Sequence, residues 1–247
     1  MIKIQRLSAP KELTPEVMAA KTQKFKITGA SVWDETYIKD RLEEMSHSKC
    51  CYCECKLGEE SKYMEVEHFH DKKDYPDEVV EWENLLPSCR TCNATKGTHD
   101  TINDPILNPS VDDPREHLGF RHFRYKEKDD IGRETRETLH LNDQERHCVP
   151  RYKVCNGLEI KVEEFLADLE MITEASRTQT KNRMRNKVKE LLEACQSDRE
   201  YTAVKATTMV NSTDYSELTR KMKERGMWTP QLEELDAKMR DYAMDLL

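Results

Sequence analysis

Two Cys-x-x-Cys pairs constrain this chain more than any other feature: Cys50-x-x-Cys53 and Cys89-x-x-Cys92, with 35 residues between them. Two thiolates at this spacing grip one face of a tetrahedral ion, and two such turns complete a four-sulfur site. The reading depends on the redox compartment. No run of 18 apolar residues is present to span a membrane, and Met1 to Leu13 has no apolar leader core before Pro10 and Lys11. A cytoplasmic location is therefore expected, where thiols stay reduced and nine cysteines do not form a disulfide framework. Structural zinc on Cys50, Cys53, Cys89 and Cys92 is the expectation. Cys51 and Cys55 leave a second grip open, Cys53-x-Cys55, at a less usual spacing. A thioredoxin-like redox pair is the competing reading, disfavoured by the doubled motif and the lack of a βαβ context. Cys148, Cys155 and Cys195 have no partner at ligand spacing and read as ordinary apolar residues.

Charge narrows the function classes. The 247 residues carry 48 acidic and 40 basic side chains, a net −8, which argues against a general nucleic-acid coat but allows a nuclease with a local basic cleft. Charged residues reach 36% and there are only 7 glycines, a composition that favours helix over sheet. Residues 1–30, broken by Pro10, Pro15 and Gly29, read as a polar arm with at most one short helix, suited to docking on another chain. Asp34 can cap a helix to about Met45, with Ile38, Leu42 and Met45 on one face. Tyr63–Phe69 alternates as a short strand, Asn84–Ser88 is its partner, and a helix opens at Cys89. Pro105, Pro109 and Pro114 keep 103–114 irregular, and Phe120–Tyr125 reads as a strand. Beyond Gly157 the apolar residues recur at helical spacing, and the last helix starts at Thr229 and Pro230. The expected class is α+β, mostly helical. Its expected divisions are an arm and helix at 1–48, a Cys/His-rich core at 49–125 and a helical region at 126–247.

Between and after the knuckles lie Glu65-Val66-Glu67-His68-Phe69, Trp82-Glu83-Asn84-Leu85-Leu86 and Cys89-Arg90-Thr91-Cys92-Asn93-Ala94-Thr95-Lys96. Residues 49–100 thereby resemble an HNH endonuclease of the zinc-knuckle kind. The resemblance implies a small ββα-metal core, with an acidic-His pair on the first strand, an Asn-Leu on the second and a Cys-x-x-Cys-Asn-x-x-Lys entry to the helix. It implies that His68 is a general base, since imidazole titrates near neutral pH. Glu67 and the Asn93 carbonyl would hold Mg²⁺ or a similar divalent ion through oxygen. Asn84 would tether the loop between the strands and orient His68. Lys96, one turn after Asn93, would contact a phosphate. The family usually has Asp where this chain has Glu67; Asn93 in place of the family's His is a common variant in such enzymes. A regular strand also sends Glu67 and His68 to opposite faces, so this reading needs a bend at the strand end. Each residue has a plainer alternative: a hydrogen-bonded histidine at His68, turn or cap residues at Asn84 and Asn93, and no direct catalytic role for His70 or His99.

The flanks narrow the resemblance. Asp104-Pro105-Ile106-Leu107-Asn108-Pro109, Asp113-Pro114-Arg115-Glu116-His117-Leu118-Gly119-Phe120, Gly132-Arg133-Glu134-Thr135 and Thr138-Leu139-His140-Leu141-Asn142 are similar to the HNH nuclease subunit of Septu anti-phage systems, which also accompanies some retrons. This likeness spans most of residues 1–145. It implies a metal-dependent endonuclease acting on nucleic acid, DNA ahead of RNA, in complex with an ABC-type ATPase subunit. Arg177, Lys181, Arg183, Arg185, Lys187 and Lys189 run without an intervening acid; Lys181, Arg185 and Lys189 are candidates for a nucleic-acid track, against the plainer reading of a solvated face. The rival function is a non-catalytic zinc-knuckle adaptor, which has no need of Glu67, His68 and Asn93 together.

Overall fold

In a computed structural model describing residues 1–58 and 63–247, the stretch 64–96 contains two antiparallel strands followed by a helix. Strand β1 (Met64–His68) pairs with β2 (Leu85–Cys89), Met64 opposite Cys89 and His68 opposite Leu85. Two helices precede them, α1 (Pro15–Thr28) and α2 (Thr36–Ser46), and α3 (Arg90–Lys96) follows directly. The chain divides into two units: Met1–Leu118 with Tyr125–Asn142, and Gly119–Arg124 with Asp143–Leu247. These units cut across the divisions expected at residues 48 and 125. The α+β, mostly helical class holds.

In the first unit, Thr14 caps α1 by accepting the Val17 N–H, Pro15 supplies the fixed φ of a first helical residue, and Gly29 ends the helix at φ 67, a conformation that costs glycine little. Ile38, Leu42 and Met45 of α2 are buried as their spacing predicts, but Asp34 is no cap; it pairs with Lys39 and the helix starts at Thr36. After an irregular stretch come α4 (Pro114–His117) and α5 (Asp130–Thr138). Gly132 of α5 is required by close packing, since a Cβ there would lie 2.1 Å from the His117 carbonyl oxygen.

The free arm expected at the N-terminus is absent. Met1, Ile2 and Ile4 are buried, and the Ile4 N–H donates to Pro109 O at 2.7 Å. Arg6 donates to Trp82 O at 2.6 Å, Leu85 O at 3.1 Å and Ser110 Oγ at 2.8 Å, while Trp82 Nε1 donates to Leu7 O at 2.7 Å. These partners lie 75 or more residues away in sequence, which is why local composition misread the segment.

A strand was expected over Phe120–Tyr125; instead two short strands, β3 (Leu118–Arg121) and β4 (Arg124–Glu127), flank a turn at His122 and Phe123, both at positive φ. The second unit is built from α6 (Val149–Glu170), α7 (Thr178–Glu193), α8 (Thr202–Asn211), α9 (Thr213–Glu224) and α10 (Pro230–Arg240). Helix α6 starts earlier than Gly157 because a single π turn, Gln144–Cys148, leads straight into it. Val162, Phe165, Leu169, Met184, Val188, Leu192, Leu218, Met222, Leu232 and Met239 share its core, as the helical spacing predicts. Thr229 caps α10 through the Leu232 N–H at 3.3 Å.

If Met1–Leu7 is structural, Arg6→Ala removes the guanidinium bonds to the carbonyls of Trp82 and Leu85 and to Ser110 Oγ. Urea unfolding should show a loss of about 2–3 kcal/mol; a free arm would give no change.

Candidate functional site

The first cysteine pair sits in a tight loop closed by a bridge between Lys49 and Lys56. Cys50 N–H donates to Cys55 O and Glu54 N–H to Cys50 O, both at 3.0 Å, with Glu54 at φ 61 completing the reversal. Cys51 N–H donates to Pro87 O at 2.9 Å and fastens this loop along β2. The second pair begins where β2 ends: Cys89 is the last strand residue and also the cap of α3, its sulfur accepting the Cys92 N–H at 3.5 Å.

The sulfurs of Cys50, Cys53, Cys89 and Cys92 thereby converge, all within 4.8 Å of one another and all buried. Cys53 Sγ and Cys89 Sγ are 3.8 Å apart, matching the edge of about 3.8 Å that a tetrahedron with 2.3 Å metal–sulfur bonds requires. Burial among other sulfurs keeps protons on some of them. The Cys53 and Cys92 thiols are pushed well above the ordinary value, first of all by the sulfur of Cys50. A cation at the centre removes that repulsion, so the donor set fits a thiophilic metal ion such as zinc. Cys51 and Cys55 are buried beside this group and outside it, so the Cys53-x-Cys55 grip is not the one assembled. Cys155 and Cys195 are pushed up by burial, to about 11 and about 12, as inert core thiols are.

Glu65 and Glu67 alternate onto one face of β1, and α3 lies against that face. Two cross-links result. Asn93 Nδ2 donates to Glu65 Oε2 at 2.7 Å, and Lys96 Nζ meets Glu67 Oε1 at 2.8 Å. Lys96 also donates to the His68 carbonyl oxygen at 2.8 Å, and Tyr52 OH donates to Glu67 Oε1 at 3.3 Å. Burial pushes the Glu67 carboxyl up to about 7, against the pull of Lys96. Lys96 was expected to reach a phosphate; its ammonium is instead wholly enclosed, because a carboxylate on the inner face of β1 requires a counter-ion. Glu67 and Asn93, expected to share a divalent ion, are engaged by different partners. The Glu65 carboxylate and the Asn93 amide are half-exposed and hydrogen-bonded to one another. Glu65 carried a signal in the sequence: period-two alternation puts it on the face of Glu67.

His68 lies on the opposite face, since β1 continues regularly through it without the expected bend. Its Nε2–H donates to Val79 O at 2.9 Å, which leaves Nδ1 as the acceptor of a neutral ring. Burial first, then the charge of Lys72, pushes His68 down to about 4. Asn84 holds the intervening loop: its Oδ1 accepts His70 N–H at 2.7 Å, and its Nδ2 donates to His70 O at 3.1 Å and Glu78 O at 3.2 Å. His70 Nδ1 pairs with Glu78 at 2.6 Å on the wall of a cavity of about 570 Å³, whose rim carries Glu81, Glu83 and Asp112. Four carboxylates make that cavity unfavourable to phosphate.

The basic run belongs to the second unit and is largely occupied. Arg185 donates to Met227 O and Gly226 O, both at 3.2 Å; Lys189 pairs with Glu193 at 2.6 Å, and Lys187 with Asp168 at 2.6 Å. Lys181 donates to Glu174 O at 2.9 Å. No helix is long and apolar enough to cross a membrane among the described residues.

No family model matches the chain. Among curated proteins it is similar to Septu protein PtuB of Bacillus thuringiensis, 41% identical over 237 residues that cover 95% of this chain and 92% of the relative. It is also similar to Septu protein PtuB of Bacillus mycoides strain KBAB4, 30% identical over 215 residues that cover 68% of this chain and 72% of the relative.

Two outcomes follow from the geometry. Elemental analysis of freshly reduced protein should find one thiolate-bound metal ion per chain, and Cys89→Ser should lose it and unfold at lower temperature, because binding energy here is folding energy. An intact, metal-free fold would refute the assignment. For His68, the folded value lies below the ordinary 6.5, so its contribution to stability is present above pH 6.5 and lost as pH falls towards 4. Glu67 acts in the opposite sense, its contribution present below pH 4.5 and lost as pH rises through 7. Site-resolved NMR should therefore find His68 neutral at pH 6, and His68→Gln should flatten the acid side of the stability profile.

Proposed function

The chain belongs to the Septu PtuB family, and from that premise we propose that it is a metal-dependent HNH endonuclease, the effector of a Septu-type anti-phage complex or of a retron-associated form of it. The observation that carries this reading is the ordered, neutral His68. Its Nε2 proton is fixed on Val79 O, at the end of a strand whose partner strand and helix are anchored by four converging sulfurs. A general base requires an acceptor nitrogen at neutral pH and a ring that does not turn, and a backbone carbonyl on the far nitrogen supplies both.

In this reading Nδ1 of His68 takes a proton from the water that attacks a phosphodiester. Asn84 keeps the loop after β1 in place, and Lys96 fixes the His68 backbone from behind. A divalent ion such as Mg²⁺, held by Asn93 and a β1 carboxylate, would supply charge stabilisation at the phosphate and leaving oxygen; because these oxygens lie on the face of β1 opposite His68, the reading requires the end of β1 to bend when nucleic acid binds. Glu65 is the better placed carboxylate, since Glu67 is already neutralised by Lys96. The four-cysteine site holds structural zinc and takes no part in the chemistry. The substrate is nucleic acid, DNA ahead of RNA, and an ABC-type ATPase subunit positions and restrains the nuclease in the cytoplasm. With Met1–Leu7 packed into the first unit, the C-terminal helices are the better docking surface for that partner.

The adaptor reading draws on one observation, the 4% exposure of His68. A direct test is purified protein with plasmid DNA, total RNA and Mg²⁺, with and without the ATPase subunit. His68→Gln should slow cleavage by about 10²–10⁴-fold with metal content unchanged and the fold retained. Glu65→Gln should shift the Mg²⁺ requirement more than Glu67→Gln. Equal cleavage by parent and His68→Gln at saturating Mg²⁺ would exclude His68 as the base.

A further inference from the structure

A base must lie within hydrogen-bond reach of the proton it removes, yet the His68 ring is closed off. One nitrogen is held by Val79, and the Trp33 indole packs edge-on against the ring, centroids 4.6 Å apart at 83°. Trp33 lies in the short connection between α1 and α2. Of this connection Val32 is buried, and the residues around it are half-exposed or exposed. Helix α1 has no fully buried residue. Its attachments are polar or peripheral: Lys21 to Val32 O at 2.9 Å and to Glu35, Lys26 to the exposed Asp77, and Phe25 edge-on to Trp33 at 5.8 Å. The Lys72 ammonium lies 5.3 Å above the Trp33 ring. Gly29, in the left-handed region, is the joint between α1 and this connection. A segment with few buried apolar contacts opens locally far below the cost of global unfolding.

From this we infer that Trp33, carried with α1, is a lid over His68, and that the ring becomes accessible only when the lid is displaced. The inference rests on the reading of His68 as the base, and it resolves the conflict between that role and the ring's burial. The lysines explain what displaces it. Lys72 lies over Trp33, with the exposed Lys73 next to it in sequence and Lys24 and Lys26 exposed on α1, so a polyanion approaching His68 competes for the cation that holds Trp33. In a chain of net −8, the Lys72 ammonium over Trp33 is the point at which a nucleic acid would gain its hold.

The lid is testable without any nuclease assay. Diethylpyrocarbonate modifies accessible neutral imidazoles, and peptide mass spectrometry reads each histidine of the full chain separately, the exposed His122 serving as internal reference. His68 should react slowly in the parent and about tenfold faster or more in Trp33→Ala, the ratio expected when a minor open state becomes the main one. Lys72→Gln, a change at a partly exposed side chain, should give an intermediate rise and covers the case in which Trp33→Ala fails to fold. A duplex oligonucleotide added to the parent should raise His68 reactivity when it opens the lid, or lower that of Trp33→Ala by occupying the uncovered ring. His68 reactivity unchanged from the parent in the folded variants would overturn the lid. His68 exposed in Trp33→Ala, with no cleavage by any form, would leave the lid standing and remove His68 from catalysis.

Discussion

Four buried sulfurs within 4.8 Å of one another impose the condition on which the first unit is built. Thiols cannot all ionise at such spacing without a cation, and with one they tie two stretches of chain to a single point. The consequences spread through neighbouring residues. Cys89 is at once a ligand candidate, the end of β2 and the cap of α3, so the position of the sulfur is also the position of the strand-to-helix corner. Cys51 and Tyr52, between the first two sulfurs, reach Pro87 on β2 and Glu67 on β1 respectively. The sulfur cluster thus sets the strand that carries His68.

The second determinant is polar. Glu67, Lys96, Tyr52 and the His68 carbonyl form one enclosed set in which each group satisfies another. Burying an ion pair gains little net stability, whereas removing one partner strands a charge and costs several kcal/mol, typically about 3–5. Such a pair contributes position more than stability. Lys96 holds α3 against β1 and fixes the backbone of the residue proposed to do chemistry. Its lost availability to a phosphate is the counterpart of that role.

The second unit follows a simpler rule. Its helices bury apolar stripes, and its long basic run is largely spent on loop carbonyls and local acids. Arg185 satisfies the carbonyls of Gly226 and Met227 in the connection between α9 and α10. Cationic side chains so engaged offer less to a polyanion than their number suggests, and this turns attention to the lysines near Trp33.

Much of this architecture was legible in the amino-acid order, wherever the determining interaction is local. Ligand spacing identified the four sulfurs, helical periodicity the faces of α2, α7 and α10, and Thr229-Pro230 the start of the last helix. The strand pair around residues 64–89 was visible from alternation to within a residue or two. What only tertiary structure decided has a common character. The burial of Met1–Leu7, the enclosure of Lys96, the pairing of Asn93 with Glu65 and the placing of Trp33 on His68 each join residues 28 to 100 or more positions apart. A lysine or a tryptophan has the same local propensities whether its head group meets water or a buried carboxylate. The choice is made by which surfaces the packed chain brings together, and that depends on the whole fold.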